Sequence, residues 1–189
     1  LSQIEKTDFH LHPRDNELYQ RIGGRLDIKS ATSLFYFDKA GKLQRLLKAL
    51  KYSDLPEIGF YLGQLMVHYW GHHYPWEDIE VLVPIPLHWT KQIKRGYNQA
   101  EKIAEGIAAE TGIPVRTDLL KRTRNTSSQA QKSGHARWKN VAGAFEIIDN
   151  SPTAILLIDD VITTGATIAA AGKALSPIAK QLFVASVAL

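Results

Sequence analysis

The chain has 189 residues, of which 44% are hydrophobic and 22% charged, a composition typical of one compact domain that can bury a full core. It contains no cysteine, which excludes disulfides, thiolate chemistry and thiolate-bound metals. Its apolar stretches are shorter than the roughly 20 residues that a bilayer span needs, and no charged and then apolar leader opens it. We therefore expect a cytoplasmic protein without membrane insertion.

Apolar residues recur with alternating strand and helix periods after a polar, weakly patterned segment at residues 1–30. Strands that alternate with helices imply a parallel α/β sheet. The predicted elements are, in chain order, a strand at 33–37, helices at 43–50 and 56–69, a strand at 79–83, one helix whose apolar face spans 93–107, strands at 145–148 and 154–158, a helix at 166–175 and a strand at 182–189.

The strand at 79–83 ends at two prolines, which cannot donate to a β-ladder and direct the chain out of the sheet. Lys91 and Arg95 follow within a few residues, so this second strand end is also a candidate functional position. In the other interpretation, the cations are solvated and Asn98 or Gln99 simply caps the next helix.

The net charge of +4 is unevenly distributed. Residues 91–140 contain eleven Lys or Arg against four Asp or Glu, and no acid lies between Leu119 and Phe145. This polar, basic stretch predicts a mobile loop that buries little. Three interpretations are open: a solvated charge run, a nucleic-acid contact in which only Trp138 could stack on a base, and a lid that closes over a polyanion.

The strand at 154–158 leads directly into Asp159 and Asp160, and a Thr-Thr-Gly-Ala-Thr run follows at 163–167. Ligands of open α/β sheets bind at the carboxyl ends of the strands. Two adjacent carboxylates can accept hydrogen bonds from vicinal hydroxyls, while threonine hydroxyls and helix N-terminal amides can donate to a phosphate. The pattern predicts a sugar-phosphate site. Alternatively, the acids only cap the helix that begins near Ala166.

This strand, acid pair and turn resemble the phosphoribosyl-pyrophosphate (PRPP) loop of the type I phosphoribosyltransferases. In that family the acids hold the ribose 2′ and 3′ hydroxyls, and Mg²⁺ is bound through ligand oxygens. The resemblance implies a catalytic pair, Asp159 and Asp160; a 5′-phosphate loop, Thr163, Thr164, Gly165, Ala166 and Thr167; a pyrophosphate-facing group, Pro86, Leu87, Lys91 and Arg95; and a flexible basic loop with Arg122, Arg124 and Arg137.

The order of five blocks resembles a narrower group, the ComF family. The blocks are Val-Pro-Ile-Pro-Leu at 83–87, Arg-Gly-Tyr-Asn-Gln-Ala at 95–100, a basic block at 120–126 with Gln129, Arg-Trp-Lys-Asn-Val at 137–141 with Phe145, and the acid-pair loop. The resemblance covers residues 31–189. It implies an α/β, type I phosphoribosyltransferase-like fold, a mostly parallel twisted sheet flanked by helices, with a small N-terminal hood at 1–30.

One departure from the family concerns metal. ComF-like proteins commonly begin with paired cysteines that resemble a zinc module, whereas this chain has none and starts at Leu1. We therefore interpret 1–30 as the remnant of a truncated module. His10 and His12, or His72 and His73, are the alternative ligands, but closed zinc sites favour four ligands and thiolates. We expect surface histidines and no zinc.

The resemblance implies binding of PRPP with Mg²⁺ and transfer of phosphoribose to an unknown acceptor, associated with competence and DNA uptake. Positioning and electrostatics would supply the rate without a protein nucleophile. One alternative is a non-catalytic module for PRPP or a nucleotide. Another is an adaptor for single-stranded DNA or competence proteins, whose DNA affinity falls with salt and needs Arg122, Arg124 and Lys132 but not Asp159. A homodimer and a monomer are both compatible with the sequence.

Overall fold

The computed structural model describes residues 3–39, 41–124, 143–148 and 153–189. Helices and strands alternate through these ranges, with two short 3₁₀ turns at Gly71–His73 and Trp76–Asp78. The elements are α1 Glu17–Gly23, β1 Ser30–Phe35, α2 Lys42–Tyr52, α3 Glu57–Trp70, β2 Val81–Pro84, α4 Trp89–Arg95, α5 Gln99–Thr111, β3 Leu120–Arg122, β4 Phe145–Ile147, β5 Ala154–Val161, α6 Ala166–Leu175 and β6 Gln181–Ala188.

Within these ranges, four strands form a parallel sheet in the order β1-β6-β5-β2. The predicted α/β class is confirmed. The central strand β5 is apolar at successive positions because both of its faces are covered. Ile155 and Leu157 contribute to one core cluster, while Leu156 and Ile158 contribute to the cluster on the opposite face.

Helices cover the two faces of the sheet as separate layers. Leu18 and Ile22 of α1 join Ile168 of α6 in the first cluster. Leu47 of α2 and Met66 of α3 are buried in the second, together with the apolar face of α5. The sheet is therefore enclosed on both faces, and its strand ends are where polar groups can meet a ligand.

The prediction of a single helix through 93–107 is wrong. Gly96 takes a left-handed conformation with a φ of 78° and ends α4. Asn98 then starts α5, because its side-chain oxygen accepts a hydrogen bond from the Ala100 N–H at 3.1 Å. A left-handed glycine followed by an N-cap residue ends one helix and begins the next. The apolar period that predicted a single helix therefore runs across two helices.

The basic stretch is more ordered at its ends than its composition indicated. β3 and β4 pair in antiparallel fashion, and Leu119, Leu120, Ala144 and Phe145 are buried in the first core cluster. The expectation of a loop that buries little is therefore wrong for these residues, because the apolar side chains at both ends of the stretch pack into the first core cluster. Residues 125–142 lie outside the described part of the chain.

The N-terminal segment contains a helix that its weak pattern did not reveal. The Asn16 side chain caps α1 by accepting from the Tyr19 N–H at 2.9 Å, and Lys6 forms a bridge to Phe35 at the end of β1. The division of the chain at residue 30 stays a prediction.

The expectation of surface histidines is wrong for His10, which is 6% exposed and whose pKa is lowered by burial. His12, His72 and His73 are exposed. Among the described residues, no group of three or more His, Asp or Glu side chains is placed to hold a metal ion. No helix in the described ranges has the length and apolar character required to cross a bilayer.

Glycines allow α3 and α5 to pack with their backbones in close contact. A Cβ on Gly106 would lie 2.0 Å from the Phe60 carbonyl oxygen, and one on Gly63 would lie 2.1 Å from that of Ile103. We expect Gly106→Ala to lower the free energy of unfolding by about 1–3 kcal/mol, because overpacking outweighs the better helix propensity of alanine. Urea unfolding at constant pH measures this change.

Gly24→Ala is the matched control, because a Cβ there has no heavy atom within 4 Å and its φ of −70° suits any residue. This variant should unfold within about 0.5 kcal/mol of the parent. Equal stability of the parent and Gly106→Ala would show that the two helices do not pack this closely.

Candidate functional site

Two loops meet at one edge of the sheet because β2 and β5 are parallel neighbours. Pro84 at the end of β2 is in register with Ile158, and the next residue, Ile85, donates its N–H to the Ile158 carbonyl at 2.8 Å. The chain leaving β2 and the chain leaving β5 therefore emerge side by side. The pyrophosphate-facing group and the acid pair predicted from sequence lie on these two segments.

Asp159 and Asp160 lie near the carboxyl end of β5. The Asp159 carboxylate accepts a hydrogen bond from the Asp160 N–H at 2.9 Å. Asp160 forms an ion pair with Lys51 of α2. Burial, followed by the charge of Asp160, raises the pKa of Asp159 to about 8, and Lys51 opposes the rise. The two acids are therefore unequal: Asp159 is the harder of the two to ionise, and Asp160 has a cation beside it.

The interpretation of the acids as helix caps is wrong. The N-cap of α6 is Gly165, which has no side chain to cap the helix, and the N–H of Ala166 donates to the Thr164 hydroxyl rather than to either acid. Both carboxylates are consequently available for a role other than stabilising the helix end.

The predicted phosphate loop forms a small hollow at the start of α6. Asp159 and residues 161–168 line it, and Gly165 has a φ of 73°. The Thr164 hydroxyl accepts from the Ala166 N–H at 3.4 Å. The first amides of a helix lack intrahelical acceptors and favour an anion, so the loop and helix start are suited to a phosphate. Thr163 is exposed and Thr167 partly so.

Helix α1 supports this loop from below. The Arg21 guanidinium donates to the Thr163 carbonyl and pairs with Glu17. Ile22 packs closely against Gly165: a Cβ added to Gly165 would lie 3.1 Å from the Cγ1 atom of Ile22. Sequence reasoning missed this support, although Asn16 before a spaced apolar pair was a usable helix signal.

Cations from three elements lie near one another, and two of them, Lys51 and Arg122, interact with the acid pair. Burial lowers the pKa of Lys91 of α4, and the nearby charges of Arg122, Arg95 and Lys51 lower it further. Burial also lowers the pKa of the Arg122 guanidinium, while attraction to Asp159 raises it. The structure thus brings together the predicted cations Lys91, Arg95 and Arg122, and adds Lys51, which sequence reasoning did not place in the site.

Arg122 is held by a strand rather than by a loop. It belongs to β3, and its guanidinium lies over the Phe145 ring of β4 at 5.4 Å from the ring centre. Arg124 follows β3 and is exposed. Arg137 and Lys132 lie outside the described residues.

The block at 95–99 fixes the geometry of the loop after β2. The Asn98 amide donates to the Ile85 carbonyl at 3.0 Å, and Arg95 donates to the Gln99 side chain at 2.7 Å. The Tyr97 hydroxyl donates to the Leu50 carbonyl near the end of α2. The capping interpretation is confirmed for Asn98, whose side chain therefore serves the loop and the helix together. Pro86 and Leu87 are partly exposed in this loop.

No family model matches the chain, but named relatives do. It is 33% identical over 93 residues to Competence protein F of Haemophilus influenzae, which covers 47% of this chain and 41% of the relative. It is 27% identical over 136 residues to DNA utilization protein YhgH of Escherichia coli K12, covering 70% and 60%. For Competence protein ComFC of Bacillus subtilis the identity is 33% over 111 residues, covering 58% and 43%. The chain thus spans about half the length of these relatives.

Among solved structures, the chain is similar to adenine phosphoribosyltransferase of Leishmania tarentolae, with a TM-score of 0.38 and 15% identity over 81% of this chain and 90% of that one. The adenine phosphoribosyltransferase of Leishmania donovani gives a TM-score of 0.37 and 15% identity, with 82% and 83% covered.

Asp159→Asn should stabilise the protein at neutral and mildly alkaline pH. The carboxyl ionises near its ordinary pKa of 3.8 in the unfolded chain, but at about 8 in the folded protein. The folded state therefore binds more protons across this window, and the free energy of unfolding falls as pH rises through it. Asparagine cannot ionise and still accepts from the Asp160 N–H. Because Asp159 is only partly buried and Arg122 attracts it, we expect a gain of about 1–3 kcal/mol at pH 8.

Urea unfolding of parent and variant from pH 8 down to below pH 3.8 measures the effect, and the two curves should converge below pH 3.8, where Asp159 is protonated in both the folded and the unfolded chain. Asp160→Asn is the matched control: it leaves Lys51 without its carboxylate and should not stabilise the protein at any pH. A parallel pH dependence of parent and Asp159→Asn would contradict the raised pKa.

Proposed function

We propose that this chain, which is similar to Competence protein F, YhgH and ComFC, is a ComF-family protein. We propose further that it binds PRPP with Mg²⁺ at the carboxyl end of its sheet and transfers phosphoribose to an acceptor. One observation carries the proposal: the acid pair adjoins both the loop at the start of α6, whose hollow Asp159 helps to line, and cations from other elements, Lys51 beside Asp160 and Arg122 near Asp159. Hydroxyls flanked by two phosphate groups are what such an arrangement recognises.

The acid pair and the phosphate loop suit a ribose 5-phosphate group. Asp159 and Asp160 present adjacent carboxylates, which can accept hydrogen bonds from the 2′ and 3′ hydroxyls. Residues 163–167 provide the helix start, the threonine hydroxyls and a glycine with positive φ, which together can hold the 5′-phosphate.

The cations suit the diphosphate. Lys91 is partly buried and lies near Arg95 and Arg122, all of the same charge. Like charges held close together repel one another, and an added anion relieves that repulsion. A diphosphate that enters this space would therefore be stabilised by cations whose backbone is already in position.

The donor set fits Mg²⁺ only as an ion that arrives with the ligand. The described residues offer no three-ligand group, and of the two carboxylates one already pairs with Lys51. Diphosphate and ribose oxygens would complete the oxygen shell that Mg²⁺ prefers. When bound, the ion would neutralise charge on the departing diphosphate.

The transfer breaks the bond from the ribose C1 to pyrophosphate oxygen and forms a bond from C1 to the acceptor. The electron pair of the broken bond stays on pyrophosphate, so the cations stabilise the charge that develops there. The acids and the phosphate loop hold the ribose in place while C1 gains positive character. No protein nucleophile is required. Since the relatives are named for competence and DNA utilization, we extend that association to this chain.

Calorimetric titration of PRPP with Mg²⁺ into the protein tests the binding site. We expect the parent to bind, and an Asp159→Asn, Asp160→Asn double variant to lose at least about tenfold in affinity, because charge-assisted hydrogen bonds to the hydroxyls are removed. Circular dichroism verifies that both proteins are folded. A folded parent that does not bind PRPP would refute the proposal.

An assay of pyrophosphate release separates transfer from simple binding. Release that depends on both PRPP and an offered nitrogenous acceptor would establish the transferase. Tight PRPP binding without release by any acceptor would instead identify a sensor module, since the fold by itself does not determine catalysis.

The names of the relatives favour one second candidate, an adaptor that binds single-stranded DNA. In that case affinity for a labelled oligonucleotide should fall steeply with salt. It should weaken on Arg122→Gln and Arg124→Gln substitution and be unaffected by Asp159→Asn. Salt-independent binding, or an equal loss with Asp159→Asn, would exclude this candidate.

A further inference from the structure

Lys51 links the two halves of the site, although no sequence pattern placed it there. It lies in the last turn of α2, and its ammonium group pairs with the Asp160 carboxylate. The two side chains are only 24% and 13% exposed. The same ammonium lies close enough to Lys91 to lower the pKa of that residue, after burial, Arg122 and Arg95. Lys51 is therefore within electrostatic reach of both the acid pair and the cation group.

The end of α2 is fixed in this position by the 95–99 block. The Tyr97 hydroxyl donates to the carbonyl of Leu50, the residue before Lys51. Arg95 lies over the ring of Tyr52, the residue after it, at 5.6 Å from the ring centre. The backbone that carries Lys51 is thus tied on both sides to the segment that carries the other cations, while its four-carbon side chain can swing between partners.

We propose that Lys51 is a further ligand-binding residue, which exchanges its pairing with Asp160 for a diphosphate oxygen when PRPP binds. The exchange frees Asp160 to accept a hydrogen bond from a ribose hydroxyl, and the ammonium never lacks an anionic partner. The inference rests on the proposed function and adds a source of selectivity: a ribose phosphate without a diphosphate would have to break the ion pair without offering Lys51 a replacement.

A purely structural role for the ion pair makes a different prediction. If Lys51 only held α2 against β5, its loss would weaken all ligands alike through a displaced acid pair. If Lys51 contacts the diphosphate, its loss weakens only the ligands that contain one. The comparison of ligands therefore separates the two roles in a way that a single affinity cannot.

The experiment is calorimetric titration of PRPP, inorganic pyrophosphate and ribose 5-phosphate, each with Mg²⁺, into the parent and Lys51→Met. We expect the variant to lose about 10- to 100-fold in affinity for PRPP and pyrophosphate, the range for one hydrogen bond to a charged group. Its affinity for ribose 5-phosphate should not fall and can rise, because in the variant this ligand has no ion pair to break. Lys51→Arg retains the charge and should recover most of the PRPP binding. Lys48→Met, an exposed residue on the same helix, is the matched control and should bind all three ligands as the parent does.

The outcomes distinguish this inference from the proposed function. Equal losses for all three ligands, or none, with a parent that binds PRPP would overturn the role of Lys51 and leave the PRPP site intact. A parent that binds pyrophosphate in a Lys51-dependent manner but not PRPP would support the role of Lys51 and refute the ribose site. A folded parent that binds no ligand would refute both.

Discussion

Two adjacent carboxylates at the end of a buried strand are unfavourable, and much of the site is arranged around them. Burial, followed by the charge of Asp160, raises the pKa of Asp159. Lys51 and Arg122 approach from a helix on one side and a strand on the other. A group that is costly in the empty protein and well suited to a polyhydroxyl, polyanionic ligand is characteristic of a functional site, where stability is exchanged for binding.

The backbone that positions these charges depends on the parallel pairing of β2 with β5. Because the register places Pro84 beside Ile158, the segments that follow β2 and β5 leave the sheet side by side, at the same level along the strands. Buried apolar side chains on both faces of β5 hold that register, since a slip of one residue would exchange the two core faces. The distance between the acid pair and the loop after β2 is thus determined by core packing far below the site.

Two segments outside the site itself keep the loops in shape. Arg21 and Ile22 of α1 contact the loop at 163–165, which gives the N-terminal residues a structural part in holding that loop. Asn98 and Tyr97 connect the loop after β2 to α5 and α2. Such supporting contacts determine how accurately a site is preorganised, because they fix the backbone on which the binding groups stand.

The sequence alone determined the fold class and the local half of the site. A strand, Asp159 and Asp160, and the run at 163–167 are contiguous, so their chemistry and their place at a strand end can be read without a structure. Helix α6 and strand β6 were also evident, because their apolar periods are long and their ends carry clear signals. The division of the helix at Gly96 was not evident, since the apolar period persists across the break.

Only the tertiary structure decided which distant residues join the acid pair and with what consequence. Lys51 lies 108 positions and Arg122 37 positions before Asp159 in the chain, and Arg122 lay in a stretch whose composition predicted a loop. Charge and propensity are properties of a residue and its neighbours in the chain, whereas burial and ion pairing depend on which elements the fold packs together. For the same reason the raised pKa of Asp159 and the support of the phosphate loop by α1 became visible only after folding placed the helices on the sheet.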